Sequence, residues 1–190
     1  MEKEQAIEKL EDKNLPLEDV KALFEMFCDD MQIAGQVAMN LSLRTSVYDR
    51  DKEKSPIMEE LLVKLSDVED MGSRWAVAKN PHTPSYILEK LSKDDVNLVR
   101  ALVATNPNTP PSILQNLFSD EKIVRDGLSG NPNTPAKLLN ILADDSDKMV
   151  RMRIAENPNA SDELLKKLME DSDENVCKAA EVNLSKRMKA

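Results

Sequence analysis

Aromatic side chains are scarce in this 190-residue chain: Phe, Tyr and Trp together make up 3% of it, with one tryptophan. With 41% apolar residues overall, that scarcity predicts an all-α core built on Leu, Val, Ile and Met. Glycine occurs four times, and no glycine-rich loop is present to cradle a phosphate. The single histidine, His82, has no second histidine to help it hold a metal. No nucleophile–base motif appears either, so neither an enzyme nor a bound cofactor is expected. The two cysteines, Cys28 and Cys177, lie far apart without CxxC spacing. They give no disulfide framework and fit a reducing cytoplasm. No run approaches the ~18 apolar residues of a membrane span. The opening MEKEQAIEKLEDK is charged throughout, unlike a secretory signal. A cytoplasmic protein without membrane contact is expected.

Basic excess is also missing. Of the net charge of −9, residues 1–73 carry all, with 18 acids against 9 bases, while residues 74–190 hold 17 of each. Nucleic-acid binders ordinarily show a basic surplus because phosphate neutralisation dominates their affinity, so no nucleic-acid partner is expected. The acidic N-terminal part suits a basic partner, or simply solubility.

What the chain does have is a phrase repeated four times at spacings of 26, 25 and 26 residues. The copies begin at Asn80, Asn106, Asn131 and Asn157 and read NPHTP, NPNTP, NPNTP and NPNAS. A fixed period of this size marks a stack of units, each burying its apolar face against its neighbours. An apolar triplet at helical spacing follows each phrase: Ile87, Leu88, Leu91; Ile113, Leu114, Leu117; Leu138, Leu139, Leu142; Leu164, Leu165, Leu168. Thr83, Thr109 and Thr134 are placed as N-caps with Pro at the first helical position, and Ser161 takes that part in the fourth copy. A second short helix carries Arg74, Val99-Arg100, Val124-Arg125 or Val150-Arg151. It stops at the Asn-Pro pair, where Asn tolerates left-handed C-cap geometry.

The string NPNTPPSILQNLFSDEKIVRDGL and its sisters resemble the leucine-rich repeat variant family, whose pattern is Asn-Pro-x-Thr-Pro, Leu-Leu-x-x-Leu, an acidic turn and Val-Arg. The resemblance covers Arg74 to Leu168 well, Tyr48 to Ser73 weakly, and the first 45 or so residues not at all. The chain is also similar to HEAT repeats, which share the Asp…Val-Arg element seen at Asp94 to Arg100 and Asp145 to Arg151. These resemblances imply an all-α, right-handed α-α superhelix, a solenoid of two-helix repeats of about 26 residues, with one helix of a pair able to be 3₁₀. The family includes a prototype with a cysteine-rich iron–sulfur region, but two isolated cysteines do not carry a cluster over. The organisation expected is a helical N-terminal region over 1–47, which caps the array or docks a partner, and a repeat array over 48–190. The array comprises a degenerate repeat 48–73, clear repeats 74–168 and a C-terminal cap 169–190.

The N-terminal region reads as a short helix with Ile7 and Leu10 on one side, a break at Asn14-Leu15-Pro16, and an apolar stripe. The stripe runs through Val20, Leu23, Phe24, Phe27, Met31, Ala34, Ala38 and Leu41, as one helix bent at Gly35 or two meeting there. YDRDKEKS, from Tyr48, reads as a charged connector.

Two ladders recur once per repeat and read as architecture: Arg74, Arg100, Arg125, Arg151, and Asn80, Asn106, Asn131, Asn157. The preceding acidic turns supply partners for the arginines, and the asparagines bond turn backbone. Binding residues differ between copies. The position after the ladder arginine holds Trp75, Ala101, Asp126 and Met152, a column that reads as solvated. Tyr86 shares its own column with Ser112, Lys137 and Glu163. Trp75, Tyr86 and Met152 are therefore the partner-binding candidates. A non-catalytic scaffold for a protein or peptide is the leading expectation. The alternatives are a nucleic-acid-associated or enzymatic relative, similar to helical-repeat DNA glycosylases or lyases, and a homodimer formed through the N-terminal helix.

Overall fold

The computed structural model describes residues 1–27, 30–44 and 55–188. Cys28, the connector from Tyr48 to Lys54 and the last two residues of the tail lie outside the described residues. Among the described residues there are thirteen α-helices, one 3₁₀ turn and no strand, so the fold is all-α and built of helical repeats. The chain divides into two compact units, Met1–Val99 and Arg100–Ala190. The first contains α1 (Lys3–Leu10), α2 (Leu17–Met26), α3 (Met31–Arg44), α4 (Pro56–Leu65), α5 (Met71–Lys79), α6 (Ser85–Leu91) and the start of α7 (Asn97–Thr105). The second contains the rest of α7, α8 (Pro111–Asn116) with a 3₁₀ turn at Leu117–Ser119, α9 (Lys122–Gly130), α10 (Ala136–Leu142), α11 (Lys148–Glu156), α12 (Asp162–Leu168) and α13 (Glu174–Arg187). That single turn is the only 3₁₀ segment among the described residues; the helices of each pair are α.

Within each unit the odd-numbered helices lie side by side, α3 on α5 in the first and α9 on α11 on α13 in the second. The even-numbered helices bury the triplets: Ile87, Leu88 and Leu91 in the first unit, and Ile113, Leu114, Leu117 and their two sister sets in the second. A helix of seven residues is not stable alone in water. Each buried Leu or Ile adds about 1.5–3 kcal/mol, so the pairs hold one another up. Methionine takes little part in this core, contrary to expectation. Met58 is fully buried and Met152 is half-buried; the other eight methionines are exposed.

The phrase differs from its expected geometry in two ways. Thr83, Thr109 and Thr134 are not the N-caps. Pro84, Pro110 and Pro135 hold that place with extended ψ of 146°, 150° and 139°, because proline's fixed φ already suits it. The threonine hydroxyls point backwards instead. Each donates, at 2.6 Å, to a carbonyl at the end of the preceding helix, of Val77, Val103 and Leu128, satisfying an acceptor the helix terminus leaves orphaned. Ser161 does cap, accepting from the Leu164 N–H at 3.1 Å. The asparagines, secondly, are not left-handed. No described residue has positive φ, and Asn80, Asn131 and Asn157 are extended, as a following proline demands.

Each ladder asparagine closes an Asx turn, its Oδ1 accepting from the N–H two residues on, in Asn80 to His82, Asn106 to Asn108, Asn131 to Asn133 and Asn157 to Asn159. In the second unit the Nδ2 also reaches back one repeat. Asn131 donates to the carbonyls of Ala104 (2.7 Å) and Asn106 (2.9 Å). Asn157 does the same to Ser129 and Asn131, and Asn183 to Ala155 and Asn157. The arginines join repeats in the other direction. Arg74, Arg100, Arg125 and Arg151 bond Asp94, Asp120, Asp145 and Asp171, each the acid of the following turn rather than the preceding one. What three of them take from the preceding turn is backbone carbonyl, at Glu69, Asp120 and Asp145 for Arg74, Arg125 and Arg151. Arg100 and Arg151 grip their aspartates with two nitrogens, at 2.7–2.8 Å and 2.7–2.9 Å, the strong geometry for this pair. Cys177, at the next rung of the column, keeps only the backward contact, its Sγ 3.0 Å from the Asp171 carbonyl.

The first 45 residues carry the same device, which the sequence reading did not detect. Asn40 in α3 donates to the carbonyls of Leu10 (2.7 Å) and Asp12 (2.9 Å), and Asp12 Oδ1 accepts from the Asn14 N–H. Pro16 is the N-cap of α2. Asp12 to Pro16 is thus a diverged copy of the phrase, α1 is the tail of a half repeat, and α2 with α3 is a full one. The break between α2 and α3 comes before Met31, not at Gly35, because Asp30 caps α3 through the N–H groups of Gln32 and Ile33. Both α3 and α13 run on past their ladder asparagine to an arginine four residues later. Arg44 bonds the Leu15 carbonyl, and Arg187 bonds those of Ala160 (2.6 Å) and Pro158 (2.8 Å).

Gly127 marks the closest approach of α9 to α7. A Cβ there would lie 2.9 Å from the Ala101 carbonyl oxygen and 3.1 Å from Ala104 Cβ, whereas at Gly130 the nearest atom is Arg153 Cδ at 3.8 Å. Gly127→Ala is therefore expected to destabilise by about 1–3 kcal/mol despite its better helix propensity, and Gly130→Ala to be neutral or stabilising by up to ~1 kcal/mol. Urea unfolding of both variants checks the pair. Asn131→Ala strands two buried carbonyls and is expected to cost about 2–4 kcal/mol in the same assay. The Arg100 and Arg151 guanidiniums hold the Asp120 and Asp171 carboxyls below the ordinary value of 3.8. A depressed folded value gives stability that is complete above the unfolded value and lost as pH falls through the folded one. Unfolding free energy is thus expected to decline below about pH 4, and Asp171→Asn to lower stability at neutral pH while flattening that decline, as denaturation midpoints across the acid range will show.

Candidate binding face

With the ladders accounted for as backbone ties, the odd-numbered helices present one remaining face. Counting from the ladder asparagine, the columns that reach it in the first unit are Met31, Gln32, Gly35, Gln36 and Met39 on α3, and Met71, Gly72, Trp75 and Lys79 on α5. In the second unit they are Lys122, Ile123, Asp126 and Gly130 on α9, and Lys148, Met149, Met152, Arg153 and Glu156 on α11. The register is the same in both units, so differences along it come from sequence and not from backbone.

Those differences are large. In the second unit the face carries paired charges beside exposed Ile123 and Met149. Lys122 meets Asp147 at 2.7 Å, Lys148 meets Asp173 at 3.0 Å, Lys178 meets Glu174 at 2.5 Å, and Arg153 approaches Asp126 at 3.8 Å. Lys122 and Lys148, by hydrogen bonding, lower the Asp147 and Asp173 carboxyls. On α3 and α5 of the first unit the face is uncharged except for Lys79, whose Nζ sits 5.0 Å from the centre of the Trp75 ring, a cation–π distance; α1 places Glu4, Glu8 and Glu11 in the same columns. Met31 (63%), Met39 (55%) and Met71 (42%) stand exposed there. A Cβ on Gly35 would have nothing within 4 Å, so the surface between Met31 and Met39 is open.

Of the residues singled out from the sequence, Trp75 lies on this face and is half-buried. Met152 occupies the same column in the other unit and is also half-buried. The column itself is not solvated as expected, since Ala101 is buried and Asp126 half-buried; the close helix approach at Gly127 explains that. Tyr86 is exposed but belongs to α6, an even-numbered helix, and does not share the face. The sequence reading missed Met39 and Met71 and assigned Met31 to the buried stripe. The available signal was the uncharged run from Met31 to Leu43 in a chain that is 32% charged.

Other features are architectural. A groove beside Arg74, lined by Asp67, Glu69, Lys90 and Asp94, has a counterpart beside Arg151, lined by Asp144, Asp145, Lys167 and Asp171. Recurrence at the same place in two repeats ties it to the acidic turns. Among the described residues no three His, Cys, Asp or Glu side chains are grouped so as to hold a metal ion, and no helix is long and apolar enough to cross a membrane.

No protein-family model matches the chain, and no curated protein matches it. In structure it is similar to a solved protein described as a leucine-rich repeat variant with a novel repetitive protein structural motif. The two share 23% identity over 95% of this chain and 81% of that one, with a TM-score of 0.47.

Proposed function

We propose that this chain is a non-catalytic scaffold that holds a protein segment against the open face of its odd-numbered helices, with α3 and α5 making the contact. The contrast between the two units carries this reading. One backbone register displays ion pairs around Ile123 and Met149 in one unit, and in the other three exposed methionines beside the sole tryptophan. Exposed apolar side chains grouped on one face ordinarily mark an interaction surface, and an aromatic anchor among adaptable neighbours is the usual centre of one. Methionine suits the role because its unbranched, polarisable chain re-packs against varied partners.

The titratable groups favour binding over catalysis. A perturbed pKa in a cleft marks a functional candidate, but structural ion pairs and helix caps shift pKa values as well. Here the shifted groups all have such a cause. Asp30, Glu60 and Lys64 are perturbed by ion-pair partners, and Asp70, lowered despite the opposing effect of burial, caps α5 through the Ser73 N–H.

A photo-crosslinking amino acid placed at Lys79 is expected to yield an adduct of discrete mass in lysate of the source cell. The same probe at exposed Glu89 on α6 is expected to yield none. Equal labelling from both positions, or from neither, would remove the reading; circular dichroism confirms that each substituted chain is folded.

A further inference from the structure

Resting on that scaffold reading, we infer the chemistry of the partner: a basic amphipathic helix that lays its apolar stripe on α3 and its lysines or arginines over α1. Three observations converge on it. The first is the absence of charge on α3. Its first charged residue is Arg44, and that side chain is only 9% exposed, turned inward to Asn40 and the Leu15 carbonyl. What faces out is Met31, Gln32, Gly35, Gln36, Met39 and Leu43. The fold does not require this. Helix α13 is also 14 residues long and holds the corresponding place in its repeat, yet fills three of these columns with Glu174, Asn175 and Lys178, with Ala179 and Val182 in the other two.

The second is shape. Met31 and Met39 lie about one turn to either side of Gly35, where no Cβ fills the surface and none would meet a neighbour. The result is a hole between two flexible thioethers, suited to one large aliphatic side chain of a facing helix. From Met31 to Leu43 the face runs about 18 Å, the length of roughly three helical turns.

The third is electrostatic and selects the occupant. Helix α1 packs on α3 through Ala6 and Leu10, leaving Glu4, Glu8 and Glu11 exposed along its other side. Among the described residues none of these three has an ion-pair partner, whereas Asp30 is taken by Lys3, Glu25 and Glu60 by Lys64, and Asp94 by Arg74. A free acidic row beside an uncharged methionine face complements a helix that is apolar on one side and basic on the next. A second copy of this chain is disfavoured by the same charges, since it would bring the like row of glutamates and a net −9 against its equal.

Trp75, the only tryptophan, reports binding by its own emission. The probe is a Leu/Lys amphipathic peptide of about 18 residues without aromatics; the controls are its Leu/Glu counterpart and a scrambled Leu/Lys sequence of the same composition. The Leu/Lys helix is expected to bind with micromolar Kd, more weakly as salt rises, and neither control to bind. Met39→Lys is expected to weaken it at least about tenfold, and Glu4→Gln/Glu8→Gln/Glu11→Gln to weaken it several-fold and flatten the salt dependence. Tyr86→Lys, exposed elsewhere, is expected to leave it unchanged. Undiminished binding to the Met39→Lys chain, or equal binding of the scrambled peptide, overturns the inference. So does a sedimentation dimer of the protein that Met39→Lys dissociates. If the Lys79 adduct forms in lysate while the peptide test fails, the scaffold reading stands and only this partner assignment falls.

Discussion

The carboxamide of the ladder asparagine is the interaction on which the second unit's stacking most directly depends. One side chain closes its own turn through Oδ1 and spends both Nδ2 hydrogens on two carbonyls of the repeat before it. All three bonds are buried or nearly so, where a missing partner is costly. A turn and a joint are therefore specified by the same residue. The phrase cannot fold correctly without being placed correctly against its predecessor. Aspartate would close the turn but could not donate, as at Asp12, which closes its own turn and whose carbonyl accepts from Asn40 of α3. The arginine–aspartate links run in the opposite direction along the chain. Each repeat is thus held forward by one ladder and backward by the other.

Much of this was legible in residues 74–168, because recurrence in register reveals which positions the backbone requires. The triplets, the helix ends and Ser161 as a cap all follow from spacing and local chemistry. The threonines were misplaced because Thr-Pro reads equally well as cap and first residue or as pre-cap and cap. Only the carbonyl of Val77 and its equivalents, left without a helical partner at the end of the preceding helix, decides between them. The N-terminal repeat was hidden for a different reason. DKNLP retains just two residues of the phrase, Asn14 and Pro16, and its turn works with aspartate for asparagine and with leucine for threonine. Hydrogen-bond geometry survives substitutions that erase the pattern.

The candidate face shows the reverse limit. Its architecture repeats, so it yields no signal of its own. What distinguishes it is the content of a few columns, free of charge along α3 and filled largely by paired charges in the second unit. Periodicity identified Met31 as part of a helical stripe but assigned it inward, because an apolar residue at the margin of a broad stripe is ambiguous until the neighbouring helices are placed. Trp75 was found by its uniqueness, and its half-buried setting against Lys79 could not be anticipated from the column it shares with Asp126.

Arg187 has a consequence for how the final described phrase is closed. In the second unit the third residue of a phrase hands its carboxamide back one repeat, as Asn133 does to the Pro107 and Thr109 carbonyls. After Asn183 that position holds Ser185, and α13 runs on through it without a turn. Arg187, carried over the Asn157–Ala160 phrase, donates to the Pro158 and Ala160 carbonyls instead. One arginine on a continuing helix thereby satisfies the acceptors that a turn residue satisfies elsewhere.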